Sequence, residues 1–270
     1  MFATEAAPSV ISATSVPIDP VYFHMRNEQT LVLTLDCFHV QNRHAANQRS
    51  LRMPKRITYL EKRDGMPRED FRLHWSTTHA DIARDLPGVI TYRQNHVRPP
   101  SASPSADAYA VDGIVELWFE DESVVHAGFD SDVARRLAAD EPNFLSGLTG
   151  GPVSADDLYE PSPHKLWLLA RWRSDTSADH EAMTAWTNLR AAEWSGALTA
   201  SVNYLNPGGP LLTRKALRSE PRIPQVAIAF GFTSAQSAAD AAAAIADELC
   251  QIQGMLDNIH VYSAEELVII

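Results

Sequence analysis

Cys37 and Cys250 are the only cysteines in 270 residues, so one chain cannot build a multi-disulfide framework or an all-cysteine zinc site. Positive charge is also scarce. Lys+Arg number 23 against 34 Asp+Glu, a formal charge of −11, which repels phosphate backbones and anionic lipid surfaces. Neither nucleic acid nor membrane is therefore expected as a partner. Long apolar runs are missing too: TLVLTL at 30–35 and QVAIAFGF at 225–232 fall far short of the roughly 20 residues that span a bilayer. The opening MFATEAAPSVISATSVP has no basic start and no apolar stretch of the secretory kind, so the expected location is cytoplasmic. No Gly-x-Gly-x-x-Gly follows a strand, and neither a phosphate loop nor a Gly-x-Ser-x-Gly elbow occurs. Nucleotide cofactors and serine-hydrolase chemistry lose support accordingly.

What is present is ordinary globular material, with 45% hydrophobic, 21% charged and 8% aromatic residues, and a length that suits two domains or one large one. Punctuation divides the chain into an arm at 1–50, a first domain at 51–160 and a second at 161–270. The arm is rich in Ala, Pro, Ser and Thr and has one strand-like run at 31–35. In the first domain RITYLEKRDG reads as a strand, and Pro67 opens a helix whose Phe71, Trp75, Thr78, Ile82 and Leu86 form one core-facing stripe. VITYRQNHV and GIVELWFED follow as strands, ESVVHAGFDSDVARRLAADE as a helix ending at Pro142, and a weakly marked strand falls near 150–160. After Pro161–Ser162–Pro163 the order repeats: KLWLLARWR, HEAMTAWTNLRAAEW, GALTASVNYL, QVAIAFGF, an Ala-rich helix from 234, and the extended terminus NIHVYSAEELVII. Superposing the copies pairs Trp75 with Trp186, His79 with Arg190, Gly88 with Gly196 and His96 with Tyr204. Each copy is a split βαβ unit of the ferredoxin-like type, and each is the natural cover for the other's open sheet face.

The segment ITYLEKRDGMPREDFRLHWSTTHADIARDLPGVITYRQNHV, with DGIVELWF and LAADEPNFL downstream, resembles the EthD-like family of dimeric α/β-barrel proteins. The resemblance covers about residues 56–147. It rests on the His-Trp pair, the His-Ala dipeptide, the Pro-Gly stop and the Asp-Glu-x-x-Phe sequence at 140–144. It implies an α+β fold in which two ferredoxin-like βαββαβ domains in tandem form an intramolecular dimeric α/β barrel. It also implies a range of chemistries: dehydratases and decarboxylases of aromatic polyketide pathways, cofactor-free cyclases, isomerases and anthrone oxygenases, and haem-binding branches of the superfamily.

Alternation along the strands places Tyr92, Gln94 and His96 on one face and Glu116 and Trp118 on another. If the all-apolar face of the third strand packs on the helices, these groups converge inside the barrel, where a phenol, an imidazole and a carboxylate suffice for proton abstraction and return. His79, one helical turn after Trp75, borders the core stripe, and His74 lies on the opposite flank. The expected catalytic set is therefore His79 and His96 as acid/base pair, with Tyr92 and Glu116 orienting substrate and stabilising charge. Trp75, Trp118, His74, Arg190 and Tyr204 form the expected substrate-binding set. The second copy has lost both histidines, which leaves one active site. Asp36, Cys37, His39, His44 and His24 match no strong zinc signature, so neither metal nor organic cofactor is expected.

The function read from this is a cofactor-independent lyase or isomerase, by dehydration, decarboxylation or cyclisation, acting on a small apolar, aromatic or polyketide-like substrate. The alternatives are an oxidative enzyme, cofactor-free or haem-dependent, and a non-catalytic carrier of a hydrophobic ligand. Homo-oligomerisation is left open, since the fused pair removes the need for the usual dimer without forbidding a larger assembly.

Overall fold

The computed structural model describes residues 53–102, 107–155, 158–206 and 208–270. The expected strand at 31–35 and the Asp36, Cys37, His39, His44 and His24 group lie outside the described residues. Eight strands close into one barrel: β1 (Lys55–Lys62), β2 (Val89–Ala102), β3 (Gly113–Phe119), β4 (Leu145–Ala155), β5 (His164–Trp172), β6 (Ala197–Leu205), β7 (Val226–Phe232) and β8 (Leu256–Val268). Their order around the barrel is β1-β3-β2-β8-β5-β7-β6-β4. Each half thus contributes four antiparallel strands in the order fourth, first, third, second, which is the ferredoxin-like arrangement. The two halves meet where β2 pairs β8 and β4 pairs β6.

Helices cover the outside. In the first half these are α1 (Arg68–His74), a π-helical turn Trp75–His79, α2 (Ala80–Ala83), α3 (Glu122–Phe129) and α4 (Asp132–Phe144). In the second they are α5 (His180–Glu193) and α6 (Ala235–Glu248). The repeat is exact where the chain leaves the first helix of each half, because Gly88 and Gly196 hold φ of 76° and 77°, a left-handed turn that glycine adopts without cost. Several details differ from the sequence reading: the strand expected near 150–160 runs over Leu145–Ala155, and Thr78 of the expected core-facing stripe is exposed. The segment expected as one helix from 122 breaks at Asp130, because Ser131 caps a new helix by accepting from the Ala134 amide. That helix then runs through Pro142, which sits in the last turn and removes only one main-chain hydrogen bond.

The inside of the barrel is not the apolar chamber that alternation suggested. One end holds a packed apolar and phenolic cluster including Ile57, Tyr59, Ile114, Trp167 and Tyr262. The other end holds a buried ionic network centred on Glu116, which is fully shielded. Its Oε1 accepts from Lys55 Nζ at 2.7 Å and Tyr159 O–H at 2.5 Å, and its Oε2 from Lys165 Nζ at 2.7 Å and Asn95 Nδ2 at 3.1 Å. Lys165 also pairs with Glu266. Burial opposes ionisation of Glu116, but the two ammonium groups outweigh it and hold the carboxyl far below its ordinary range. Lys55 is pulled down to about 8, since its burial outweighs its attraction to Glu116.

Removing one partner of a buried ion pair leaves the other charge uncompensated, at a cost of about 3–5 kcal/mol. Glu116→Leu leaves the Lys55 ammonium without a carboxylate and Lys165 with Glu266 alone. It should therefore lower unfolding stability in urea by at least about 3 kcal/mol, and a change within error would show that the network does not hold the barrel.

Candidate active site

The register of β2 against β3 decides which expected site residues can meet. Arg93 pairs Glu116 and Asn95 pairs Ile114, and directly opposed residues share a face. With Glu116 inside, Arg93 and Asn95 are inside too, whereas Tyr92, Gln94 and His96 lie on the outer face under the helices. This corrects the expected convergence. Glu116 and Trp118 do point into the barrel, but Trp118 there lies under the Lys55 ammonium, 4.3 Å from its ring centre. The sheet separates both from Tyr92 and His96.

Under the helices, Trp75 is the keystone. It is fully buried and lies so close to Gly113 that a methyl group added there would come within 2.6 Å of its ring. Its indole N–H donates to the Tyr92 hydroxyl at 3.0 Å, which also receives a Gln94 N–H at 2.9 Å. Burial raises the Tyr92 pKa despite these two bonds, so Tyr92 stays a phenol. His96 packs against Trp75, with ring centres 4.5 Å apart and planes tilted by 47°, and shares a 3.1 Å hydrogen bond with Gln94. Burial first, then the nearby Arg72 charge, push its pKa down to about 4. His96 is a neutral packing histidine rather than the partner of His79.

His79 meets a different residue. Its Nδ1 lies 3.0 Å from Asp140 Oδ2, and His74 Nε2 lies 2.9 Å from Oδ1 of the same carboxylate. Phe144 sits between the two imidazoles, 4.8 Å from His74 and 4.9 Å from His79. In a regular α-helix, residues five apart point roughly 140° away from each other, which is why opposite flanks were expected. The π turn over Trp75–His79 widens the helix so that both rings reach one acceptor. Such turns occur preferentially at functional sites. Burial works against the Asp140 charge, but hydrogen bonds from His79, Asn143 and His74 outweigh it and hold the carboxyl below its ordinary range. With Asp140 ionised, Nδ1 of His79 carries the proton it donates and Nε2 is left as the basic nitrogen. Nε2 has no hydrogen-bond partner among the described residues.

His79 lines a half-open cleft of about 70 Å³ between the helices and the outer sheet face, otherwise walled mostly by apolar side chains such as Leu60, Leu86, Val115 and Leu148. Glu141 and Arg214 stand at its polar end. Arg214 Nε and Nη2 donate to the two Glu141 oxygens at 2.6 and 3.0 Å. Arg214 comes from the long β6–β7 connection of the second half, which is stitched to β4 by main-chain bonds in both directions between Leu212 and Gly150. The second half therefore roofs the cleft of the first.

The second half's own counterpart residues are engaged elsewhere. Arg190, expected to face substrate, pairs with Glu193 at 2.9 Å and Glu248 at 2.5 Å. Tyr204 stacks on His180 at 4.0 Å and donates to its carbonyl. Trp186, Trp194 and Phe230 pack together between helix and sheet. Sequence reasoning missed Asp140, Arg214, Lys55, Lys165 and Tyr159 as polar participants. Only Asp140 had a signal, as the first residue of the Asp-Glu-x-x-Phe sequence.

Comparison with known proteins agrees with this layout. Residues 63–147 match the EthD domain. That segment carries the π turn, both imidazoles and Asp140. Among solved structures, a candidate monooxygenase from Fusobacterium nucleatum is similar, with a TM-score of 0.50 at 10% identity over 80% of this chain and 94% of that one. An anthrone oxidase-like protein has a TM-score of 0.51 at 7% identity over 82% of this chain and 94% of that one. At these identities the likeness is one of fold, the tandem α/β barrel. An EthD family protein from Bacillus halodurans shares 22% identity over 37% of this chain and 96% of its own, with a TM-score of 0.29. Comparison with curated proteins gives no match. No helix among the described residues is long and apolar enough to cross a membrane.

The neutral, buried state of His96 has a pH consequence. Its folded pKa of about 4 lies below the ordinary 6.5, so between these values the unfolded chain binds more protons than the folded one. Stability is then fully present above pH 6.5 and falls as pH drops toward 4, by about 3 kcal/mol at most. Urea titrations across this window should show that slope in the parent and a shallower one in His96→Leu. Equal slopes would mean that His96 is not the group responsible.

Proposed function

We propose that this chain is an enzyme that oxidises a small aromatic substrate with molecular oxygen, using no organic cofactor and taking the substrate's proton on His79 Nε2. The observation that carries the reading is the Asp140–His79 dyad, with its basic nitrogen unspent at the wall of an apolar cleft. A carboxylate on one imidazole nitrogen fixes the tautomer and the orientation of the ring. An apolar wall suits an aromatic ring. The names carried by proteins of the same fold, a candidate monooxygenase and an anthrone oxidase-like protein, favour oxidation over the lyase chemistry read from sequence, for which no observation speaks.

The residues divide the work as follows. Leu60, Leu86, Val115 and Leu148 take the ring and exclude water. His79 Nε2 removes a proton from an acidic C–H or O–H, and Asp140 stabilises the imidazolium that forms. The resulting carbanion or phenolate is electron-rich enough to react with oxygen. For a ring-activated methylene the balance is CH₂ + O₂ → C=O + H₂O, with one oxygen atom retained as the carbonyl and the other released as water after the proton returns. The carbon is oxidised and oxygen is reduced.

Oxygen-electrode assays over a panel of anthrones, naphthols and enolisable aryl ketones should find at least one substrate consumed with matching oxygen uptake. His79→Ala should lower that turnover by about 10²–10⁴-fold, and Asp140→Asn should also lower it, by disturbing the tautomer. Turnover of such compounds with no oxygen uptake would transfer the same base to lyase chemistry. Undiminished oxygen uptake in His79→Ala would remove His79 from the mechanism.

A further inference from the structure

Beside the inner cleft lies a larger hollow of about 380 Å³, which shares Phe129, Ala134, Leu212 and Arg214 with it. The two hollows are neighbours that meet at these four side chains, and His79 belongs to the inner one. Arg56, His126, Arg135 and Arg214 line the outer hollow, and among the described residues no Asp or Glu does. That is unexpected in a chain of formal charge −11.

Two of these arginines have donors to spare. Arg56 is only 8% exposed and has no ion pair among the described residues. Its one hydrogen bond there runs from Nη2 to the Pro210 carbonyl at 3.0 Å, and its guanidinium lies 5.1 Å from the Phe129 ring centre. Burial lowers its pKa, yet a guanidinium stays protonated at any physiological pH. Arg214 spends Nε and Nη2 on Glu141, while Nη1 reaches only the Thr213 carbonyl at 3.5 Å. In that pair the acid is the hidden partner, with 6% side-chain exposure against 23% for the arginine. In the outer hollow a ligand therefore meets the guanidinium, while Glu141 faces the inner cleft. The Glu122 charge acts on Arg56 without forming an ion pair with it, so its guanidinium keeps donors unspent, and such a fork is shaped for a planar two-oxygen anion. The aromatic Phe129 beside it would face a ring.

The geometry points to an aromatic carboxylic acid as the substrate class: its carboxylate held by Arg56 and Arg214 in the outer hollow, its reacting ring edge directed inward to His79. This assignment deepens the oxidative reading and rests on it for the role of His79, but the anion pocket can be tested without any turnover.

The test is fluorescence titration with 1-hydroxy-2-naphthoate and with neutral 2-methoxynaphthalene at neutral pH. In the parent protein the naphthoate should bind at least about tenfold more tightly, the scale of one charge-assisted hydrogen bond. Arg56→Met should bring the two ligands to within about twofold of each other, and Arg214→Gln should narrow the gap. Glu141→Gln acts in the opposite direction: it releases Arg214 from its competing carboxylate and should tighten naphthoate binding by about threefold or more. A merely structural ion pair would not give that gain. His79→Ala should leave the preference intact.

Equal affinities in the parent overturn the proposal. So does a preference that survives both Arg56→Met and Arg214→Gln. Should Arg56→Met fail to fold by circular dichroism, Arg214→Gln and Glu141→Gln decide the matter. A clear preference without oxygen uptake on any aromatic acid would sink the oxidative reading and keep the anion pocket; oxygen uptake without the preference would do the reverse.

Discussion

Glu116 is the group on which the barrel depends. Four donors from β1, β2, β5 and the segment preceding β5 converge on one shielded carboxylate of β3. They fix the inward face of the sheet at one end and fill it. A closed barrel of eight strands has an interior about wide enough for its own side chains, and here charges and aromatic rings occupy it. The cleft beside His79 lies on the other face of the sheet, beneath the helices. The polar interior also explains why the helix-facing side of β2 carries Tyr92, Gln94 and His96. Those residues hydrogen-bond to Trp75 and to one another, and of the three Tyr92 lines the cleft.

The second constraint is local. One extra residue in the turn Trp75–His79 changes the angular spacing of the helix, so that two histidines five residues apart share Asp140. The dyad is then oriented from three sides: by the carboxylate, by the Phe144 ring between the imidazoles, and by Trp75 seated on Gly113. Cleft and dyad both lie on the half that matches the EthD domain, while the Arg214 wall comes from the other half.

Much of this was legible in the amino-acid sequence. The order of strands and helices, the duplication marked by Gly88 and Gly196, and the inward position of Glu116 all follow from periodicity and punctuation. The face of β2 was not. Arg93 and Asn95 look like solvent-facing residues until they are paired with a buried acid on the neighbouring strand, and pairing register is a long-range property. Nor could the π turn be read, since WSTTH fits an ordinary helix equally well. His79 could be singled out, but its partner could not: Asp140 is 61 residues away and meets it only through tertiary packing. Arg214 belongs to a connection with no regular pattern at all. Trp186 and Arg190 show the reverse limit, where matching positions in a repeat predicted a shared wall and packing turned them to structural use.

The crossing of the β6–β7 connection onto β4 bears on assembly. In a barrel made from two separate chains, wall and roof of each cleft would belong to different molecules, and their encounter would depend on protein concentration. Here both are tied to one backbone, and the local concentration of the roof is set by chain connectivity, whatever the number of molecules present. Dilution that would dissociate a dimeric relative leaves this cleft assembled. The tether also frees the second half from keeping a site of its own, so its helix-facing space could fill with Trp186, Trp194 and Phe230 while its connecting segment specialised as a cover for its neighbour.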